Sequence, residues 1–272
     1  MVDDPRPRGV ATASPRAQVP RPAGELGPEL GPVVLTDGPA TVAAVCSVAQ
    51  LFHVGSRGLM SGIDKRPVDR PLTVLRHGVW GDVQGDRENH GGLFKAVYAY
   101  ASETRQAWAD AVGTEYPPGA FGENLVTSGI DVDEAVIGTR WRVGTTVLRV
   151  TSPRTPCRTF AAWMGEPDWS RRFTAGGRCG AYLGVEETGE IAAGDDILVE
   201  DVPEHGVSVG DAFRGLDADR AGALLDWAEA SGTVLYETLV RRALDALSRG
   251  GHEREFPGEL RSTGRGLGGG AR

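Results

Sequence analysis

Val150-Thr151-Ser152-Pro153-Arg154-Thr155-Pro156-Cys157-Arg158-Thr159-Phe160 is the stretch on which the reading of the fold turns. Its β-branched start reads as the end of a strand, and two prolines then force a loop that cannot pair onward. Immediately upstream, Trp141–Val143 and Val147–Val150 flank Gly144-Thr145-Thr146, the spacing of a β-hairpin. Other short apolar runs have the same texture: Thr41–Val48, Leu72–Leu75 before a His77-Gly78 turn, and Ile197–Val199 after Gly194-Asp195-Asp196. Many short strands punctuated by Gly and Asp predict a barrel or sandwich. The same stretch presents Cys157 at a loop between Arg154 and Arg158. Cationic neighbours favour a thiolate, which serves as a soft metal ligand or as a nucleophile. A small apolar residue filling a loop explains a cysteine equally well.

Two segments read as helical. In Leu93–Val112 the residues Val97, Tyr100, Thr104, Trp108 and Ala111 form one stripe at 3.6-residue spacing, with His90-Gly91-Gly92 at its head. Asp217–Ser248 reads as two helices broken near Ser231-Gly232, with Ser231 capping the second. Its rows Leu235, Leu239, Ala243 and Tyr236, Val240, Leu244, Leu247 need a packing partner, either the strand core or another subunit.

Composition narrows the function classes. The 272 residues carry 29 basic and 37 acidic side chains, a formal net charge of −8, and 40% are hydrophobic. That is a globular chain able to bury a sizeable core, and it lacks the basic balance that phosphate backbones select, so no nucleic-acid partner is expected. The longest apolar-leaning run, Thr41–Phe52, is too short to cross a bilayer, and no charged-then-apolar leader opens the chain. Three cysteines without a C-x-x-C pair argue against a disulfide framework or a zinc knuckle, so a cytoplasmic setting is expected. Residues 1–40 hold eight of the prolines and read as a disordered tail, and Gly250–Arg272, rich in Gly and Arg, reads as a second.

Three further motifs carry polar chemistry. Pro117-Pro118-Gly119-Ala120-Phe121-Gly122-Glu123-Asn124-Leu125 offers close backbone approach at its glycines, with Glu123 and Asn124 as acceptor and donor; a Gly-rich turn entering a strand is the plainer account. Asn89-His90-Gly91-Gly92, at the predicted helix start with Lys95 in the first turn, suits an anion. Gly206-Val207-Ser208-Val209-Gly210 satisfies G-x-S-x-G. A triad needs an acid and then a histidine downstream, and the one downstream histidine, His252, lies in the Gly-rich tail. Trp163 and Trp169 suit either a pocket wall or the core.

Taken in order, these segments resemble a MOSC domain, the molybdenum-cofactor-binding module related to the C-terminal part of molybdenum cofactor sulfurases. The resemblance rests on Ser61-Gly62-Ile63-Asp64-Lys65-Arg66-Pro67-Val68, Gly81-Asp82-Val83-Gln84-Gly85-Asp86, His90-Gly91-Gly92 with Lys95-Ala96-Val97, Pro118–Leu125 and Pro153-Arg154-Thr155-Pro156-Cys157. Arg172-Phe173, Gly180-Ala181-Tyr182 and Gly194-Asp195 follow, and the C-terminal helices fit the bacterial YiiM-type branch. The resemblance implies an α+β fold, mainly β: a MOSC-type barrel over residues 41–209 (signature core about 63–202), then a helical segment over 210–249, between tails 1–40 and 250–272. It also implies a molybdenum atom on a pterin dithiolene, ligated by Cys157. Lys65, His90, Gly91, Gly92, Lys95, Gly122, Arg154 and Arg158 would hold the cofactor, and Glu123 and Asn124 would line the pocket as catalytic groups. Leu93-Phe94 departs from the Pro-Asp that usually follows H-G-G and removes a carboxylate from the site; Val83 stands where an arginine is usual.

The activity so implied is reduction of N-hydroxylated bases or related N-oxygenated small molecules. No nicotinamide, flavin or pyridoxal-phosphate site is evident, so electrons would come from a separate reductase. The rival is a non-enzymatic carrier of cofactor or sulfur working through a Cys157 persulfide, and a cofactor-free interaction protein is a third reading. The amphipathic C-terminal helices permit a homodimer without requiring one.

Overall fold

The computed structural model describes residues 30, 33–54, 59–82, 92–165 and 168–262. Val83, His90 and Gly91 therefore lie outside the described residues. The strands are β1 (Thr41–Val54), β2 (Leu59–Pro67), β3 (Leu72–Leu75), β4 (Gly78–Val79), β5 (Val97–Ala101), β6 (Leu125–Ser128), β7 (Arg140–Val143), β8 (Thr146–Pro153), β9 (Ala181–Glu187), β10 (Gly189–Ile191), β11 (Ile197–Glu200), β12 (Leu235–Tyr236) and β13 (Arg261–Ser262). The helices are α1 (Ser102–Val112), α2 (Arg158–Met164), α3 (Trp169–Gly176), α4 (Val209–Arg214), α5 (Ala218–Ser231) and α6 (Glu237–Arg249). Eight strands make one sheet in the order β11-β7-β8-β9-β5-β6-β1-β2. The fold is α+β and sheet-rich, and the predicted hairpin of β7 and β8 is present.

The barrel expectation needs correction. The sheet is not closed along a pair of strands. Its two ends meet only where β1 begins: Val42 N–H donates to Asp195 O (2.9 Å), Gly194 N–H to Val42 O (2.8 Å) and Ile197 N–H to Ala40 O (2.8 Å), around the single bridge Thr41↔Asp196. Strand twist curls the sheet until those ends touch. β2, paired to β1 alone among the described strands, extends past the contact.

The predicted helix over Leu93–Val112 is half strand. Val97-Tyr98-Ala99-Tyr100-Ala101 form β5, with every residue buried, between β9 (antiparallel) and β6 (parallel). A strand buried on both faces shows no alternation, so its apolar run joins smoothly onto the helical stripe that follows. Helix α1 begins only at Ser102. Gly92 (φ 88°) thus leads through turns into a strand, and the helix-start argument for anion binding at His90-Gly91-Gly92 falls.

The core continues into the helices. Trp108, Phe121, Phe160, Trp169 and Phe173 are fully buried and touch ring to ring, for example Phe160 edge-on to Phe173 at 5.1 Å. Trp163 and Trp169 belong to this core rather than to a pocket wall. Gly232 (φ 66°) ends α5, and α6 starts at Tyr236 in the N-cap position, so Ser231 closes the first helix instead of capping the second. Leu239, Val240, Ala243 and Leu247 of α6 are buried in the same cluster as Leu224, Leu225 and Ala228 of α5, which supplies the partner their spacing demands. Ser208 accepts from Asp211 N–H (3.1 Å) while Asp211 accepts from Ser208 N–H (3.1 Å), a capping box for α4. That use accounts for the G-x-S-x-G coincidence.

Packing also reaches past both predicted tail boundaries. Leu30 and Phe256 join the core, and Arg254 bridges Asp226 (2.7 Å) and Glu229 (2.8 Å). Thr36 donates to Glu103 through its hydroxyl (2.6 Å) and N–H (3.3 Å). Burial alone would raise the Glu103 carboxyl, but donors from Gly129 N–H, Thr36 and Ser102 outweigh it and bring the group down to about 2. A depressed carboxylate contributes stability above its unfolded value, and that stability is lost as pH falls through the folded value. We therefore expect wild-type stability to fall between about pH 4.5 and about pH 2 by up to roughly 3 kcal/mol more than in Glu103→Gln. Urea unfolding midpoints across that range check it; parallel pH curves would refute the role.

Candidate functional site

Cys157 ends the loop that leaves β8 and occupies the N-cap position of α2, in extended backbone (φ −132°, ψ 171°). Its neighbours in sequence differ sharply: Arg154 is 5% exposed, whereas Arg158, on the first turn of α2, points to the surface. The Arg154 guanidinium lies 3.6 Å from the Phe160 ring centroid and 5.4 Å from that of Tyr98. Its Nη1 is buried without a hydrogen-bond partner, as is the Ser152 hydroxyl. Both are donors held out of water with capacity unused, an arrangement that ordinarily costs stability.

The three cysteines separate cleanly. Cys157 is half-buried, and Cys46 and Cys179 are fully buried. Burial, with the Glu123 charge second, pushes the Cys46 thiol up to about 12. Burial and the adjacent Asp133 hold Cys179 well above the ordinary thiol range. Cys46 and Cys179 are thus packed inside the core, and Cys157 alone of the three is partly exposed.

Tyr182 stands at the start of β9, and burial is the main cause that raises its phenol, with the Arg154 charge acting against it. On the same side, Lys95 Nζ sits 4.4 Å from the Tyr236 ring centroid and 5.5 Å from that of Tyr182, and donates to the Tyr236 hydroxyl at 3.0 Å. Lys95 therefore lies over Tyr182, which pairs with Ser152 of the strand leading into the Cys157 loop and packs at 5.3 Å on Tyr98, the ring that Arg154 approaches.

A second cluster centres on Asp82. Lys65 Nζ donates to Asp82 Oδ2 (2.5 Å), Asn124 Nδ2 to the same oxygen (2.7 Å) and Val48 N–H to Oδ1 (2.9 Å). Asn124 also donates to Cys46 O (3.3 Å) and accepts from Tyr98 N–H (3.3 Å). Glu123 is fully buried, and its two carboxylate oxygens accept from Gly119 N–H (2.7 Å) and Phe121 N–H (2.9 Å). Burial raises this carboxyl, with those two donors acting against it. As built, Glu123 ties a turn together. Gly122 (φ 80°) packs on Ile63 and Gly119 (φ 86°) on the Lys65 carbonyl, so the turn is pressed against β2.

Tyr182, Tyr236 and Asp82 received no role from sequence. Tyr182 and Asp82 lie inside stretches that carried the family resemblance; Tyr236 was read only as one member of a helical apolar row, and stands instead in β12 at the N-cap of α6. Among the described residues no group of three or more His, Cys, Asp or Glu side chains is placed to hold a metal, so a metal bound through Cys157 would take its other ligands from elsewhere. No described helix is long and apolar enough to cross a membrane.

A curled, mostly antiparallel sheet, with a half-buried cysteine on the loop that follows β8, defines an α+β domain class. The chain belongs to the MOSC domain family, whose model matches residues 86–198. It is 32% identical over 165 residues to the Bacillus subtilis (strain 168) protein YflK, spanning 61% of this chain and 75% of that one. It is also 33% identical over 149 residues to a protein of Gibberella moniliformis (strain M3125 / FGSC 7600) named as a reductase, covering 53% of this chain but 26% of that longer one. Among solved structures, YiiM from Geobacillus stearothermophilus superposes with a TM-score of 0.58 at 23% identity, covering 75% of this chain and all of that one, a likeness of fold.

Proposed function

We propose that this protein binds a molybdenum cofactor through the Cys157 thiolate and reduces N-hydroxylated bases or related N-oxygenated compounds, using electrons from a separate reductase. The observation that carries the reading is a half-buried Cys157 on the same loop as Arg154, whose Nη1 is buried without a hydrogen-bond partner. The residues fit the group: a soft thiolate suits an oxo-molybdenum centre, and an orphaned guanidinium N–H is relieved by an acceptor on a ligand. Membership of the MOSC family and a relative named as a reductase support the same direction.

When bound, the cofactor would supply the two-electron chemistry, converting R–NHOH with two electrons and two protons to R–NH2 and water. The chain's own part is to hold and bias. Cys157 would be the protein ligand. Arg154, stacked on Phe160, would set a fixed positive charge behind it. Lys95 would face anionic parts of the bound ligand. Lys65 is ion-paired to Asp82, so its contribution is to orient Asn124 through that shared carboxylate rather than to present a bare charge. Glu123 would act by shaping the loop that carries Asn124.

The test is turnover. Purified, cofactor-loaded protein with a competent electron donor is expected to convert an N-hydroxylated purine to the amine. Cofactor-loaded protein that leaves a panel of N-hydroxylated and N-oxide compounds untouched would count against the reading.

A further inference from the structure

We infer that Tyr236 is a positioning residue of the Cys157 site: its hydroxyl holds the Lys95 ammonium beside Tyr182, so that the C-terminal segment builds one wall of the site. The region matched by the family model ends at residue 198, and Tyr236 lies beyond it. Lys95 and Tyr236 meet nonetheless, through a 3.0 Å hydrogen bond and a cation–π contact at 4.4 Å. The ring is held firmly. Leu235 and Tyr236 pair with Arg261 and Ser262, Tyr236 is the N-cap of α6, and Phe94 lies against its face at 6.1 Å. Phe94 thus joins the turn before β5 to the C-terminal segment. Tyr182 ties this wall to the loop that carries Cys157: it pairs with Ser152 near the end of β8, and its ring packs at 5.3 Å on Tyr98, which the Arg154 guanidinium also approaches. Burial would raise the Tyr236 phenol, yet the Lys95 and Thr238 hydrogen bonds and the Lys95 charge leave it below its ordinary value, consistent with a close cation.

A cation fixed on this wall makes the mouth of Cys157 favour a ligand with an anionic group over a neutral one of the same shape. The inference rests on Cys157 being the working group, but not on molybdenum, so it is tested on the cofactor-free full chain. Thiolate attack on iodoacetate or iodoacetamide forms a C–S bond and releases iodide. The ratio of the two rates cancels thiolate fraction and access, leaving the preference for negative charge. Cys46 and Cys179 are sealed, and mass spectrometry reports Cys157 alone.

At low ionic strength Lys95→Met is expected to lower the iodoacetate-to-iodoacetamide ratio by about threefold or more, and Lys95→Arg to keep most of it. Tyr236→Phe keeps the ring but removes its hydrogen bond to the ammonium, and is expected to lower the ratio about twofold, with no further effect in a Lys95→Met background. A ratio unmoved by Lys95→Met overturns the wall; a ratio moved by Lys95→Met but not by Tyr236→Phe overturns the positioning role. If the ratios behave as expected while the protein binds no molybdenum, the cofactor reading fails and this one stands.

Discussion

Cys157→Ser protein is expected to purify folded and to carry at least about tenfold less molybdenum than wild type, with activity lost in proportion. The thiol is half-buried at the N-cap of α2 and makes no capping hydrogen bond there, and serine is close to it in size, so the fold is expected to survive the change. Serine is among the best N-cap residues, and its hydroxyl can accept from the first turn of α2; the melting temperature should hold or rise slightly. Cys46→Ser and Cys179→Ser invert the pattern. Each puts a hydroxyl into a fully buried site, which destabilises by roughly 1–3 kcal/mol, while molybdenum stays bound. Metal content and thermal melting of the three variants in parallel check all of this. Cys157→Ser protein that retains wild-type molybdenum would overturn the ligand assignment.

Gly119→Ala is expected to be the most damaging of the small substitutions. Its φ of +86° is unfavourable for any L side chain, and an added Cβ would overlap the backbone carbonyl of Lys65, which cannot rotate away. Strain and overlap together should destabilise by roughly 3 kcal/mol. The damage is local to the site. The Gly119 N–H that Glu123 accepts would shift, the turn would lift from β2, and Lys65, Asp82 and Asn124 would lose their common geometry. Gly194→Ala is the control, because a Cβ there meets nothing within 4 Å although its φ of +92° is also positive. It should lose only the strain component. Urea denaturation of both variants separates the two; equal losses would show that the contact with Lys65 carries no weight.

Much of the architecture was legible from short-range pattern. The β7–β8 hairpin, β3 and β11 follow from apolar runs between turn residues, and the break at Gly232 follows from its tolerance of positive φ. β5 was hidden because a strand buried on both faces has no period of two, and its run blended into α1. Closure of the sheet was overestimated because alternation in single strands says nothing about how the first and last strands meet. Leu30 and Phe256 were lost among prolines and glycines, where a single large apolar residue carries no periodicity. Cys157 and Arg154 stood out as a local motif. The rings that surround Arg154 outside the motif, Tyr98 and Phe173, come from β5 and α3, and only three-dimensional packing joins them.

Molybdenum and pterin analysis of the full chain, purified from cells that make the cofactor, tests the central claim most directly. The account predicts close to one molybdenum and one pterin per chain, both lost in Cys157→Ser. Protein carrying a labile persulfide on Cys157 without metal, or neither group, would contradict it.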